Sequence, residues 1–354
     1  MRGAWLTRRT PIALDIGMRQ IKAAQLAWHN RLWRLEACAC VPRQRAGKPL
    51  EADEVARLAQ VLQRQGFTGR KTILSVVTEH LFSDLLELPP ASSGAPTEDL
   101  ARMEVARLNG RAAGSFEMVC WELPPSARPR EQAYVLSSAL PHEQANAVLD
   151  VLEAGGLQAV AIQTAGLALE RACRHLLRSD AAVQGILDLG WSAFRMSVLC
   201  HGVICYQRVL PETGLAPLAA ELCTRFRVAP EHLEVFLSGM GLSGANEAAA
   251  PANPAMAAEV RSLVAAHFAR CLDDIRATFD YVLGMYPGSA LRGLLLAGGG
   301  AALAGEEVFA QGLGVQAHVV KPSEVIPCGR WERQYDVPGM VAAIGLAQFQ
   351  ENRP

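Results

Sequence analysis

Apolar and polar residues near the amino terminus alternate with the period of a β-strand. The pattern predicts three strands joined by short turns, at residues 12–16, 20–28 and 32–41. The stretch WHNR supplies one of these turns. The chain therefore opens with a β-β-β unit.

A helical period follows. In EADEVARLAQVLQRQG, residues 51–66, the apolar residues share one helical face, and Gly66 is a typical C-terminal stop. KTILSVVT, residues 71–78, predicts a fourth, fully buried strand. The predicted order of this first unit is β-β-β-α-β.

The same order returns later in the chain. A strand (VQGILDLG), two hairpin strands (SAFRMSVLC and VICYQRVL) and a helix (LAPLAAELCTRF) follow one another between residues 183 and 226. The hairpin turn is His201-Gly202. After a further helical region, LRGLLLAGGG at residues 291–300 predicts another buried strand that ends in glycines. The chain therefore looks like two copies of one unit.

The two units also share a turn. DIGMRQIK, residues 15–22, and DLGWSAFR, residues 188–195, each contain Asp, an apolar residue, Gly, and a basic residue in the eighth position. Gly lets backbone N–H groups approach a phosphate chain closely, and a carboxylate at the end of a strand can hold hydrated Mg²⁺. One such turn is usually only a tight turn. Two of them facing across a cleft would grip a phosphate chain from both sides.

Other parts of the chain indicate an insertion and a packed helix. Residues 80–155 contain strands and helices that could fold as an α+β lobe, and residues 239–257 predict a flexible low-complexity loop. One long helix is expected after that loop. Its apolar stripe indicates core packing and consists of Val260, Val264, Phe268, Cys271, Ile275, Phe279 and Val282.

Composition mainly excludes classes of function. Of 354 residues, 50% are hydrophobic and 19% are charged, which is typical of a folded globular protein, and a net charge of −1 gives no basic field for nucleic acid. The nine Cys form no C-x-x-C pair, which favours reduced core residues of a cytosolic protein over disulfides or a zinc site. We find neither a secretory signal nor a run of about 18 apolar residues, so we expect a membrane role only through a partner.

Together these motifs resemble the actin, Hsp70 and sugar-kinase ATPase fold, and within it the PilM family of actin-like (FtsA-like) type IV pilus assembly proteins. The resemblance covers nearly the whole chain and rests on ALDIG…IKAAQL, VLEAGGLQAVAIQTAGLALERA, GILDLGWSAFRMSVLCHG, LLLAGGGAALAG and VPGMVAAIGLAQ. It implies an α/β, ribonuclease H-like fold in which two duplicated halves surround a nucleotide cleft.

The resemblance also implies a division of the chain. The first half would comprise residues 1–165, with its core at 1–79 and 156–165, together with a final helix at 338–354. Residues 80–155 would form the inserted FtsA-type lobe, and residues 166–337 the second half.

A site for ATP and Mg²⁺ is a further implication of the resemblance. Asp15 and Asp188 would hold the metal through water, and Gln163 would orient an attacking water as a catalytic residue. The implied nucleotide-binding residues are Asp15, Gly17, Lys22, Asp188, Gly190, Gly298, Gly299 and Gly300. Simpler roles stay open for two of these positions, since Lys22 can cap a strand or pair with Asp15, and Gln163 can be a buried amide.

Three positions depart from the family pattern. Met18 replaces a small hydroxyl residue of the first turn, and Trp191 replaces Gly or Ala in the second turn, where an indole would crowd the γ-phosphate. Leu237 occupies a place where the family often has Lys. We therefore expect ATP binding with weak or absent hydrolysis.

The resemblance implies a partner as well. In the PilM family, the cytoplasmic N-terminal peptide of the membrane protein PilN docks between the first half and the inserted lobe, and other pilus platform proteins are further candidate partners. The expected walls of this groove include Leu81, Phe82, Leu86 and Met103. The protein is accordingly expected in the cytoplasm, peripheral to the inner membrane through its partner.

Two other functions share the ATP site. A small-molecule kinase would need a positioned carboxylate between the halves, and none is evident in the sequence. An FtsA-like cell-division protein would end in a basic amphipathic helix, whereas this sequence ends at GLAQFQENRP. Both remain alternatives to the pilus scaffold.

Overall fold

Two five-stranded sheets form the frame of the molecule. The structure, a computed structural model, describes residues 8–75, 81–125, 132–177, 182–210, 212–242, 253–327 and 335–349.

The first sheet has the strand order β3-β2-β1-β4-β8, in which β2 runs antiparallel to both β1 and β3, and β4 runs parallel to both β1 and β8. Its strands are β1 (Ile12–Ile16), β2 (Gln20–His29), β3 (Leu32–Pro42), β4 (Lys71–Ser75) and β8 (Gln158–Gln163). The three opening strands are confirmed. Residues 76–78 of the predicted fourth strand lie outside the described residues.

The second sheet repeats this topology in the order β11-β10-β9-β12-β13. Its strands are β9 (Val183–Leu189), β10 (Phe194–Cys200), β11 (Val203–Val209), β12 (Leu291–Ala297) and β13 (Gln316–Val319). His201 and Gly202 turn the β10–β11 hairpin with positive φ angles of 53° and 74°, as a tight hairpin turn requires. The predicted duplication is confirmed.

The inserted lobe is a small antiparallel sheet with one helix on it. β7 (Ala133–Pro141) lies between β5 (Phe82–Leu88) and β6 (Phe116–Glu122), and α2 (Thr97–Leu108) covers one face. On the other face, Trp121 Nε1 donates a hydrogen bond of 2.8 Å to the Ile204 carbonyl oxygen of β11. The lobe therefore contacts the second half directly.

Two helices pack together beside the first sheet. α1 (Ala52–Arg64) covers it with Val55, Leu58 and Leu62, all buried. α3 (His142–Ala154) falls within the predicted lobe, residues 80–155, but it lies against α1 and β8, and its Leu152 joins the same core cluster.

A close helix crossing joins the halves. α12 (Val341–Ala347) lies against β1, β2 and α4 (Ala165–Cys173), and a short 3₁₀ turn at Pro338–Met340 precedes it. The backbones approach so closely that a Cβ on Gly345 would overlap the Ala168 carbonyl oxygen.

The predicted long helix is two helices, and a single-helix assignment is wrong. The helical dihedral angles persist through Arg270 and Cys271, but both N–H groups bond three residues back rather than four, which interrupts the helix. The apolar stripe is nevertheless buried along its whole length. The helices of the second half are α5 (Leu215–Phe226), α6 (Leu233–Gly239), α7 (Pro254–Ala269), α8 (Leu272–Met285), α9 (Ala301–Ala304), α10 (Glu307–Leu313) and α11 (Pro322–Val325).

Two other expectations concern the loop and the cysteines. The predicted loop at 239–257 is shorter than expected, because α6 includes Gly239 and α7 begins at Pro254; residues 243–252 lie outside the described residues. The eight cysteines in the described ranges are free thiols. None of the helices in these ranges combines the length and the hydropathy that a membrane crossing needs.

Candidate functional site

The two Asp-x-Gly turns face one cavity of about 490 Å³. Asp15 lies near the carboxyl end of β1 and Asp188 near the carboxyl end of β9, and each of these strands is central in its sheet. Gly17, Gly190 and Gly299 also line the cavity. The structure thus brings together residues that are far apart in the sequence.

Each turn carries an acid–base pair fixed by strand register. Lys22 lies opposite Asp15 in the β1–β2 ladder, with Nζ 3.3 Å from Oδ2. Arg195 lies opposite Asp188 in the β9–β10 ladder, with Nη1 3.8 Å from Oδ2. The same spacing in both turns places the same two types of charge on both sides of the cavity.

Burial and charge act on these groups in different ways. Burial acts to lower the pKa of Lys22, but the carboxylates of Asp15 and Asp188 outweigh it and raise that pKa above its ordinary value. Burial raises the pKa of the Asp188 carboxyl, against the opposing charge of Arg195. Burial therefore disfavours the ionised form of Asp188.

Ser75, which is not among the site residues predicted from the sequence, lies in the same site. Its hydroxyl donates a hydrogen bond of 2.9 Å to Asp15 Oδ1. Ser75 ends β4, which runs parallel to β1 with Ser75 opposite Asp15. The predicted strand at 71–78 gave only a weak signal, since Ser75 is the one serine within it and parallel strands end at the same edge of a sheet.

The turns are too tight for a side chain at either glycine. A Cβ at Gly17 would lie 2.9 Å from the Gln20 carbonyl oxygen, and a Cβ at Gly190 would lie 2.7 Å from the Ala193 carbonyl oxygen. The backbone itself therefore forms this part of the cavity wall.

A buried ion pair braces the first turn. Arg43 and Glu54 pair at 2.9 Å with side chains only 3% and 9% exposed. Arg43 Nη1 also donates to the Gly17 carbonyl oxygen at 3.3 Å, and the Arg43 backbone N–H donates to the Arg19 carbonyl oxygen at 2.7 Å. The shape of the first turn thus depends on a charge pair outside the cavity.

The three glycines after β12 have different surroundings. Gly298 has a φ of 85°, and a Cβ there would overlap Asp188 Oδ1. A Cβ at Gly300 would press on Leu189 and Leu215, whereas one at Gly299 would meet nothing within 4 Å. Gly298 and Gly300 therefore pack against the second turn and its neighbours, and Gly299 faces open space.

One sector of the cavity is apolar. It is formed mainly by side chains of α5, α6 and α9 and by Leu242: Leu215, Leu218, Leu222, Leu233, Leu237, Leu242 and Leu303. Leu237, a departure from the family pattern, belongs to this wall.

Three further residues meet across the cavity. The Arg19 guanidinium, from the first turn, lies 4.4 Å from the centre of the Trp191 ring of the second turn. Arg19 Nη2 also lies 3.7 Å from Glu234 Oε1 of α6. Met18 lines the same cavity, and its side chain offers no hydrogen-bond donor there.

Gln163 and the expected groove residues lie elsewhere. Gln163 ends β8 opposite Ser75, is not among the described residues that line the cavity, and its Oε1 is buried without a partner in the described part of the chain. Leu86 is buried in the core of the lobe, and the Arg111 guanidinium covers the Phe82 ring at 5.1 Å. Leu81 packs at the junction with the first half, and Met103 is 66% exposed on α2.

The duplicated sheets, the common cleft and its paired Asp-x-Gly turns define the class: the chain has the actin-like ATPase fold. Within that class it belongs to the PilM family, because the family model for type IV pilus assembly protein PilM matches residues 13–349. No curated protein sequence matches the chain.

Solved structures show the same fold at low sequence identity. A PilM–PilN type IV pilus biogenesis complex is 19% identical, with a TM-score of 0.75 over 96% of this chain and 97% of that one. Ethanolamine utilization protein EutJ from Carboxydothermus hydrogenoformans is 15% identical (TM-score 0.52, 97% and 90% covered). MreB5 of Spiroplasma citri bound to AMPPNP is 11% identical (TM-score 0.52, 96% and 94% covered).

Proposed function

We propose that this chain is a cytoplasmic, actin-like scaffold of the type IV pilus inner-membrane assembly complex that binds Mg²⁺-ATP in its cleft. The observation that carries the nucleotide part is the meeting of Asp15, Lys22, Asp188 and Arg195 around one cavity. Family membership and the nucleotide-bound MreB5 of the same fold support it.

The cavity fits such a ligand. Its volume of about 490 Å³ lies within the ordinary range of small-molecule sites. The leucine-rich sector suits an adenine base, and Gly299 leaves room for adenosine against the backbone.

The acidic groups fit Mg²⁺ rather than a metal held by protein side chains alone. In the described part of the chain, no three His, Cys, Asp or Glu side chains form a metal cage. Mg²⁺ typically binds one or two carboxylates together with phosphates and water, and it screens phosphate charge when bound. Asp15 and Asp188 would hold it, while Lys22 and Arg195 supply positive charge to the phosphates.

We propose weak or absent hydrolysis. Met18 and Trp191 replace the usual small residues of the turns, and Gln163, the predicted catalytic residue, is not among the described residues lining the cavity. We expect Gln163→Ala to release phosphate from ATP at the same low rate as the wild type.

A calorimetric titration with Mg²⁺-ATP tests the nucleotide proposal. We expect binding by the wild type and at least about tenfold weaker binding by Asp15→Ala, because hydrogen bonds and ligand contacts of charged groups are the strong ones. Asp150→Ala, an exposed position of α3, is the matched control. No binding to the wild type at millimolar ATP would refute the proposal.

For the partner, we propose that the N-terminal peptide of a PilN-like membrane protein docks at the junction of the lobe and the first half. Leu81, beside β5, and Ile162 of β8 both pack there against Leu140 and Ala145, and each of these strands pairs with only one other described strand. Such edges can accept an extended peptide through backbone hydrogen bonds. The PilM–PilN complex of the same fold supports this partner.

Exposed apolar residues near these elements allow a sharp test. We expect Met103→Glu and Val160→Glu to weaken capture of a PilN-type N-terminal peptide, because apolar anchors dominate such binding. Val235→Glu, at an exposed apolar position of α6, is the control. Equal binding by all three variants would remove this surface as the docking site.

A further inference from the structure

Arg19 links the two halves across the cavity. It comes from the first turn, whereas its two partners, Trp191 and Glu234, come from the second half. All three residues line the same cavity as the two aspartates.

The three basic residues of this cavity differ in how closely each is paired with an acidic residue. The acidic and basic residues among the described lining are Asp15, Asp188, Glu234, Arg19, Lys22 and Arg195. Lys22 and Arg195 each face their acid across a strand ladder, with acid side chains only 16% and 17% exposed. Arg19 instead pairs at 3.7 Å with Glu234, whose side chain is 69% exposed. A long, exposed ion pair contributes little, so Arg19 is the base most easily reassigned to a ligand.

The contact with the Trp191 ring favours binding of an anion by Arg19. The guanidinium carbon lies over the ring, 4.4 Å from its centre, and a guanidinium held against an aromatic face can still donate its N–H groups to an anion. Those donors match the oxygens of a phosphate, often in pairs. The side chain of Met18, its neighbour, offers no hydrogen-bond donor.

We propose that Arg19, held on the Trp191 ring, is a phosphate-binding residue of the cleft and exchanges Glu234 for the polyphosphate of a nucleoside di- or triphosphate. The proposal rests on the proposed nucleotide binding and assigns Trp191 a role opposite to crowding. The indole is a platform for the guanidinium that binds the phosphate chain.

The first experiment compares ligands with and without phosphates by calorimetry on the full chain. Arg19→Ala weakens ATP and ADP at least about tenfold, the loss of one charge-assisted hydrogen bond, and leaves adenosine binding unchanged. Arg19→Lys, which keeps the charge and loses the planar fork, recovers part of the affinity. Arg107→Ala, on the exposed face of α2, binds ATP as the wild type does.

The second experiment tests whether Trp191 supports the Arg19 guanidinium or crowds the phosphates. Trp191→Phe keeps an aromatic face and retains most of the ATP affinity, whereas Trp191→Leu loses affinity to about the extent of Arg19→Ala. If the Trp191 indole instead crowds the phosphates, Trp191→Leu should bind ATP more tightly than the wild type does. That reverse result would overturn the proposal.

The third variant tests the exchange. Glu234→Gln removes the competing carboxylate and is expected to raise ATP affinity about two- to threefold, the modest gain that an exposed pair allows. Weaker ATP binding by this variant would overturn the exchange.

The outcomes also separate this proposal from the proposed function. If the wild type binds ATP but Arg19→Ala binds it within about twofold of the wild type, or loses adenosine equally, only the role of Arg19 fails. If the wild type binds neither ATP nor adenosine, both fail. The thermal midpoint of each free variant shows that it is folded.

Discussion

Lys22 and Asp15 occupy opposite positions of one strand ladder and point into the cleft together, with 3.3 Å between Nζ and Oδ2. Arg195 and Asp188 repeat this relationship in the second half at 3.8 Å. Since each turn carries its own base, the carboxylates can coexist in a partly buried site before any ligand arrives.

Substitutions of two glycines after β12 are expected to affect stability and nucleotide binding separately. We expect Gly298→Ala to lower the thermal midpoint of the free protein, because its φ is 85° and its Cβ would overlap Asp188. Gly299→Ala meets open space, so we expect an unchanged midpoint and weaker nucleotide binding if adenosine lies against this backbone. Differential scanning fluorimetry and calorimetry measure the two effects. Equal midpoints for both variants would contradict the packing argument.

Asp188 makes stability depend on pH. Its pKa is higher in the folded than in the unfolded chain, so its ionisation costs stability, and this cost appears as the pH rises through the folded pKa. Without nucleotide, we therefore expect Asp188→Asn to be more stable than the wild type near pH 7, by a margin that narrows towards about pH 4. Thermal melts across this range check the sign, with Asp150→Asn as control. A margin that grows towards acid would refute the argument.

The Arg43–Glu54 pair lies outside the cavity, and we expect its loss to lower the unfolding free energy strongly. Glu54→Gln leaves the buried Arg43 guanidinium without its counter-charge, which costs about 3 kcal/mol of unfolding free energy. Because Arg43 also holds the Gly17 carbonyl, we expect weaker nucleotide binding too. Denaturant titrations give the stability. Glu51→Gln, whose partner Arg45 is exposed, should change it by less than about 1 kcal/mol.

The close crossing of α4 and α12 can be tested by comparing two single glycine substitutions. Gly345→Ala places a Cβ against the Ala168 carbonyl oxygen and is expected to cost about 2 kcal/mol or more, as overpacking does. Gly284→Ala, in open space within α8, is expected to stabilise by up to about 1 kcal/mol, because Ala favours a helix. Urea unfolding measures both. A tolerated Gly345→Ala would mean that the helices can separate without cost.

Local pattern carries much of the fold. The strands of both units, the Asp-x-Gly turns and the acid–base spacing could be predicted because alternation, tight turns and ladder register depend on neighbours along the chain. Asp15 and Lys22 are seven residues apart, so their pairing follows once the hairpin is recognised. The break between α7 and α8 could not be predicted, because the apolar stripe continues through Arg270 and Cys271 without a proline or a glycine.

Tertiary structure alone decides which turns meet and what lies between them. Arg19 and Trp191 come from different halves, Gly298 packs on Asp188 after a long intervening segment, and Ser75 reaches Asp15 from a parallel strand. Leu86 and Met103 looked alike as apolar groove residues, yet one is buried in the lobe and the other is exposed. These contacts depend on how two sheets and a lobe are placed in space, and hydrophobic periodicity fixes the inward face of an element but not the neighbour that it meets there.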